Sequence, residues 1–297
     1  MPADPRPRRW PVTVLGAGLI VALVLPLGLL ARRVPAPTPA APGPAAVLEA
    51  AAAAAESAPG TPPPPGLMRY VAARRVTLEA VPDGDHRRLV RTGMITEEWI
   101  PADRRRPWTQ WIRDDGPPQA WDERTGAYTA GDPVPASRWS ARCGAYFPVP
   151  GADPCRRPGL WQDPTPAFVA GLPGDPGALL ARLRSDAAGD DLEALTYAAQ
   201  ALSRDLLPSR VRATVYRALA LLPGLGVTAA RCTLGRRTGT ALGLGRGGER
   251  LEIVVDERGA YLGSIRRLTA ARDGLAAGTV TDTTEITTGL ARRGRTP

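Results

Sequence analysis

The residue types best able to ligate a metal or form a nucleophile–base pair are scarce here. The 297 residues contain one histidine, His86, and three cysteines, Cys143, Cys155 and Cys232. A hydrolase triad needs a histidine in a shaped site, whereas His86 sits in the polar turn PDGDHRR and reads as a surface residue. Cys143 and Cys155 bracket an irregular stretch with no second cysteine pair, which is not the spacing of a zinc ribbon. Outside the cytoplasm such a pair reads as a disulfide. Cys232 is then left as a buried thiol, and free thiols throughout are the alternative.

Paired carboxylates occur at Glu97-Glu98, Asp114-Asp115 and Asp190-Asp191. Adjacent acids on a strand point to opposite faces, so these pairs are poorly placed for joint acid–base work. Asp190 already reads as a helix cap. Gly243, Gly245 and Gly248 match the dinucleotide fingerprint, but that motif needs a helix after it and ERLEIVVD reads as a strand. A phosphate loop would need a lysine, and the chain has none. No catalytic residue, cofactor or metal ligand is assigned, and a non-enzymatic role is expected.

Tryptophan is the one unevenly spread residue type. Six of seven lie between Trp99 and Trp161, in a chain with only two phenylalanines. Trp99, Trp108, Trp111 and Trp121 are the candidates for a groove taking an apolar or sugar ligand. The competing reading packs them between a sheet and helices.

The formal charge of +9 invites a nucleic-acid reading. Residues 1–33 contribute +4 and residues 291–297 contribute +3, leaving +2 for the body between them. A near-neutral body has no broad basic face for phosphate backbones, so nucleic acid is excluded as a partner. The absence of lysine and asparagine beside abundant Ala, Gly, Pro and Arg reads as the codon bias of a GC-rich genome. Arginine density is then a weak functional signal.

Residues 11–31, PVTVLGAGLIVALVLPLGLLA, carry no charge and form a helix of about 30 Å, the thickness of a bilayer core. Trp10 stands at the expected interface, with Arg8 and Arg9 before the run and Arg32 and Arg33 after it. The positive-inside rule puts residues 1–10 in the cytoplasm and the rest outside. A cleaved signal peptide and a buried helix are the alternatives to this single-pass anchor.

Residues 32–66 read as a Pro/Ala-rich linker with a short helix over 45–58. The globular domain is expected over 67–290, followed by a basic tail, 291–297. Strands are predicted at 68–81, 89–100 and 108–113, and 122–173 should be irregular. Three helices follow. Asp175-Pro176 and Asp190-x-x-Glu193 mark the first two starts, and Pro208 opens the third. Strands resume at 227–234, 238–244, 251–255, 261–268 and 279–288. Strands, then helices, then strands predict an α+β domain with an antiparallel sheet.

The runs TEEWIPADRRRPWTQWIRDDG (96–116), DPGALLARL (175–183), LLPSRVRATVYRALALLPGLGVT (206–228) and ERLEIVVDERGAYLGSIRRL (249–268) resemble an actinobacterial family of membrane-anchored proteins of unknown function. Members are often encoded beside extracytoplasmic-function sigma factors. The resemblance covers residues 45–290 and implies a curved, half-barrel-like antiparallel sheet packed on helices. Such a domain is similar to lipoprotein-carrier domains and to periplasmic sensor domains of sigma-factor regulators. It carries over no functional residue.

The expectation is a membrane-anchored extracytoplasmic domain that binds a lipid, another hydrophobic ligand or an envelope protein partner, in envelope sensing linked to a sigma factor. An extracytoplasmic enzyme of unrecognised type and a purely structural tether are the alternatives.

Overall fold

The structure is a computed structural model that describes residues 42–58, 62–84, 86–122 and 126–297. The expected membrane segment 11–31, residues 1–10 before it and the start of the linker lie outside the described residues, as does the His86 side chain. No described helix is long and apolar enough to cross a membrane.

Ala41–Pro297 is one compact α+β unit. Among the described residues eleven strands form one large open antiparallel sheet. They are β1 (Met68–Asp83), β2 (His86–Ile100), β3 (Pro107–Asp114), β4 (Gln119–Asp122), β5 (Ala127–Ala130), β6 (Ser137–Arg142), β7 (Gly226–Leu234), β8 (Arg237–Arg246), β9 (Glu249–Val255), β10 (Tyr261–Leu268) and β11 (Val280–Ala291). The spatial order is β5-β4-β2-β1-β11-β10-β9-β8-β7. β2 is long enough to hold β1 along one edge and two successive partners along the other, β4 at residues 88–91 and β3 at 94–99. β6 then pairs with β3. The expected irregular stretch 122–173 thus contains β5, β6 and one short helix, α2 (Pro166–Ala170).

The predicted helices form where their start signals place them. In α3 (Pro176–Asp186) the Asp175 carboxylate accepts from the Ala178 N–H at 2.8 Å. In α4 (Asp191–Ser203) Asp190 accepts from Leu192 and Glu193, satisfying donors the helix itself cannot. α5 (Ser209–Ala220) starts after Pro208. The stripe Leu195, Ala199 and Leu202 of α4 is buried, and this helix packs on β8, β9 and β10. Leu179, Leu183, Val215, Tyr216, Leu242 and Ile253 fill the helix–sheet interface with no exposed surface.

The helix in the expected linker is part of that core. α1 (Pro44–Ser57) buries Leu48, Ala51, Ala52 and Ala55 and packs on α5. Arg217 of α5 bridges Glu49 at 3.0 Å and Glu56 at 2.6 Å across the seam. Gly259, at φ +71°, lets the β9–β10 turn approach so closely that a Cβ there would stand 2.4 Å from the Ala51 carbonyl oxygen. The domain therefore begins before residue 44, not at 67.

The opposite face of the sheet carries two smaller clusters. One joins Leu234, Ala241, Val254, Leu262 and Ile265. A register shift between Tyr261 and Gly263 makes it possible, because Leu262 and Ile265, three residues apart and so of opposite parity, then share this face. The other joins Met68, Tyr70, Trp99 and Ala291, with Trp111 against it.

Candidate functional site

The four candidate tryptophans do not share one groove. Trp99 on β2 is buried, and its indole N–H donates to the Arg295 carbonyl at 2.7 Å. Trp111 stands edge-on to it at 5.1 Å on the same face. Trp108, three residues before Trp111 on β3, falls on the other face and packs into the helix-side core. Trp121 lies on β4 against Tyr128, 4.8 Å between centroids, beside a cleft of about 270 Å³. Two of the four therefore belong to one cluster, while Trp108 fills the core and Trp121 stacks on a separate strand pair.

Cys143 and Cys155 are disulfide-bonded, with Cα atoms 5.3 Å apart. The bridge closes the loop after β6. Gly144, at φ +67°, sits so near the Trp108 ring that a Cβ would overlap it. Arg157 pins the loop by donating to the Cys143 carbonyl at 2.6 Å and pairing with Asp163. A cleft of about 290 Å³ beside the bridge is lined by Arg104, Arg105, Trp108, Arg157, Asp163 and Thr165. Two of its cations have structural duties, since Arg104 donates to the Leu206 carbonyl at 2.9 Å and Arg157 holds the loop. Burial, with Arg69 close to Arg104 and Arg204 close to Arg157, lowers the pKa of both. Cys232 is half-buried and free, and burial pushes its thiol pKa up.

The adjacent acids separate as the strand alternation requires. Glu97 meets the Tyr70 hydroxyl at 2.7 Å and Arg113 at 3.3 Å on one face. Glu98, on the other, meets Arg204 at 2.8 Å and Gln110 at 3.3 Å. Both carboxylates are buried and enclosed by donors, an arrangement that holds strands and helix together and leaves neither open to a substrate. Gly247 and Gly248 form the β8–β9 turn at positive φ, so the glycine motif is a hairpin. Among the described residues no three His, Cys, Asp or Glu side chains gather as metal ligands.

A different surface has the features of a binding site. On the Trp99–Trp111 face, a groove of about 470 Å³ is lined by Thr109, Trp111, Arg138, Trp139, Ser140 and Arg293. Arg138 lies over the Trp111 ring, 3.9 Å from its centroid. Strand alternation puts Arg138, Ser140 and Arg142 on this face of β6, opposite Trp111, Thr109 and Pro107. The tail after β11 folds back here: Arg295 accepts from Trp99, and Gly294 lies against Trp111. The Arg106 carbonyl accepts from the Cys143 N–H at the end of β6.

No family model, curated protein or solved structure matches the chain.

The site's own geometry therefore carries its reading. Among the described residues Arg138, Arg142 and Arg293 have no carboxylate partner, whereas Arg69, Arg74 and Arg75 on β1, Arg113 on β3 and Arg204 at the C-cap of α4 do. Large apolar side chains also stay exposed nearby: Trp139 is 43% and Phe147 85% accessible, and their rings touch at 6.0 Å. Unpaired guanidinium groups beside exposed aromatic rings select a partner that is anionic and in part apolar. The sequence reading missed these arginines because they lie far apart along the chain and average out in a segment-by-segment charge count. The alternation of Arg138, Ser140 and Arg142 about Trp139 was the available signal.

Proposed function

We propose that the chain is a membrane-anchored extracytoplasmic domain without catalytic chemistry, which engages an anionic envelope protein partner through the β3–β6 face. The observation that carries this reading is the groove of Trp111, Arg138, Trp139 and Arg293, where unpaired cations adjoin exposed rings. The disulfide supports an oxidising compartment, and the uncharged run 11–31 supports the anchor. The filled helix–sheet interface favours a surface partner over a lipid held inside a curved, half-barrel-like sheet, the fold detail that the resemblance implies. Envelope sensing linked to a sigma factor is the regulatory form of this reading and rests on that resemblance alone.

Photo-crosslinking in intact cells tests it. A photoreactive residue in place of Trp139 should trap a discrete protein, and the same residue in place of exposed Leu221, at the end of α5, should not. Equal trapping at both positions, or none at Trp139, sinks the reading. A C-terminal phosphatase fusion should be active and a C-terminal fluorescent-protein fusion dark. The reverse pattern would place the domain in the cytoplasm.

A further inference from the structure

We propose that the free edge of β6 accepts an extended acidic segment of the partner protein as an added strand. The inference deepens the binding reading above and rests on it. β6 pairs with β3 along one side and with no other described strand. The Cys143 N–H donates to the Arg106 carbonyl, which continues the β3–β6 register by one step. In an antiparallel ladder, hydrogen-bonded and non-bonded positions alternate. Residues 137, 139 and 141 therefore face β3 with their backbone groups, and the N–H and C=O of Arg138 and Ser140 point away from it. These outward groups are a template for another strand.

The side chains along that edge specify what could dock. On one face an incoming strand meets Arg138, Ser140 and Arg142, with Arg293 of the tail alongside. Carboxylates at alternate positions would pair with these guanidiniums, two hydrogen bonds at a time. On the other face it meets Trp139 and Phe147, which would cover apolar side chains at the intervening positions. The match is to a segment that alternates acidic and apolar residues. A second copy of this chain is a poor occupant. Antiparallel β6–β6 pairing centred on Ser140 would set Arg138 opposite Arg142 of the other copy, and like charges directly opposed destabilise a pair.

Arginines on an edge strand also serve as guards against unwanted pairing. That role accounts for Arg138 and Arg142 but not for the exposure of Trp139 and Phe147 or the approach of Arg293. The two roles share one chemistry, since an edge that repels neutral and basic strands admits an acidic one.

The test measures anisotropy of a labelled synthetic peptide of alternating glutamate and valine, titrated with the detergent-solubilised full chain. Saturable binding is expected, and the double variant Arg138→Glu with Arg142→Glu should abolish it. Ser140→Pro removes one outward N–H and no charge, so it should weaken binding by roughly tenfold. Ser140→Ala loses the same hydroxyl but keeps the N–H, so it should bind more tightly than Ser140→Pro. Thermal melts of each variant check that the fold persists, and a peptide N-methylated at alternate residues gives the same test without altering the protein. Equal binding of Ser140→Pro and of the N-methylated peptide would reduce the edge to a diffuse basic patch and overturn the proposal. So would binding to vesicles of anionic phospholipid with none to the peptide. A crosslink at Trp139 without peptide binding would keep the binding-domain reading and overturn strand addition alone.

Discussion

The guanidinium of Arg138 lies over the indole of Trp111, 3.9 Å from the ring centroid, with Trp99 edge-on to that indole at 5.1 Å. A half-buried tryptophan backed by a buried one thus holds a surface cation in place before any partner arrives. Arg138 is exposed, where a cation–π contact contributes about 0.5–1 kcal/mol. Arg138→Ala should lower stability by that amount in urea denaturation. A loss several times larger would mean that Arg138 has a packing role as well.

The disulfide should contribute more. Closing a loop of this length stabilises a fold by about 3 kcal/mol in the chain-entropy model. The double variant Cys143→Ser with Cys155→Ser should show that loss in its urea midpoint while keeping the far-ultraviolet spectrum of the sheet. Arg157 and Gly144 hold the loop independently, so loosening should centre on residues 143–155 and be visible as faster amide exchange there. Unchanged stability would show that the reduced loop keeps its ordering.

α1 is structural, and its removal should show it. Leu48 is fully buried against α5, so Leu48→Ala should cost about 2–5 kcal/mol. A protein beginning at residue 67 loses the whole helix and both Arg217 bridges, and should be insoluble or melt far below one beginning at residue 42. Equal melting temperatures would show that α1 is dispensable.

Acid should destabilise the fold through paired carboxylates. Arg272, and then Arg266, hold the Glu249 carboxyl below the usual range, and Arg184 does the same for Asp191. A folded-state pKa below the unfolded one gives stability that is fully present above about pH 4–5. That stability is lost as pH falls through the depressed values. The urea midpoint should therefore drop as pH is lowered below that range, and Glu249→Gln should make the drop shallower. Both glutamate contacts are partly exposed, so added salt should shrink the effect.

The legible parts of this fold were those whose cause is local. Asp175 and Asp190 cap helices because a carboxylate can satisfy N–H groups two or three residues ahead, a relation visible in sequence. The hairpins β2–β3 and β9–β10 were legible as apolar runs flanking a polar break or turn. β6 was not, because SRWSAR is exposed on both faces and owes its conformation to pairing with β3. α1 was read as a helix but misplaced as linker, since an alanine face shows little contrast between its buried and exposed sides. The tryptophans were noticed but not sorted. Which of Trp99, Trp108, Trp111 and Trp121 meet depends on strand parity and on which strand each occupies. The basic face was hidden because it is assembled from β3, β6 and the tail.

β1 lies between β2 and β11, so the middle of the sheet is a seam between its first and last described strands. Ten register pairs close that seam, from Met68↔Ala291 to Thr77↔Asp282, each joining residues about two hundred positions apart. Until β11 emerges, β1 has an open edge, and the β7–β10 block has no strand that pairs it to β1. The chain therefore has to be kept from pairing wrongly for as long as its synthesis takes. A long exposed β1 edge makes the half-made domain a natural client for holding factors in whichever compartment receives it.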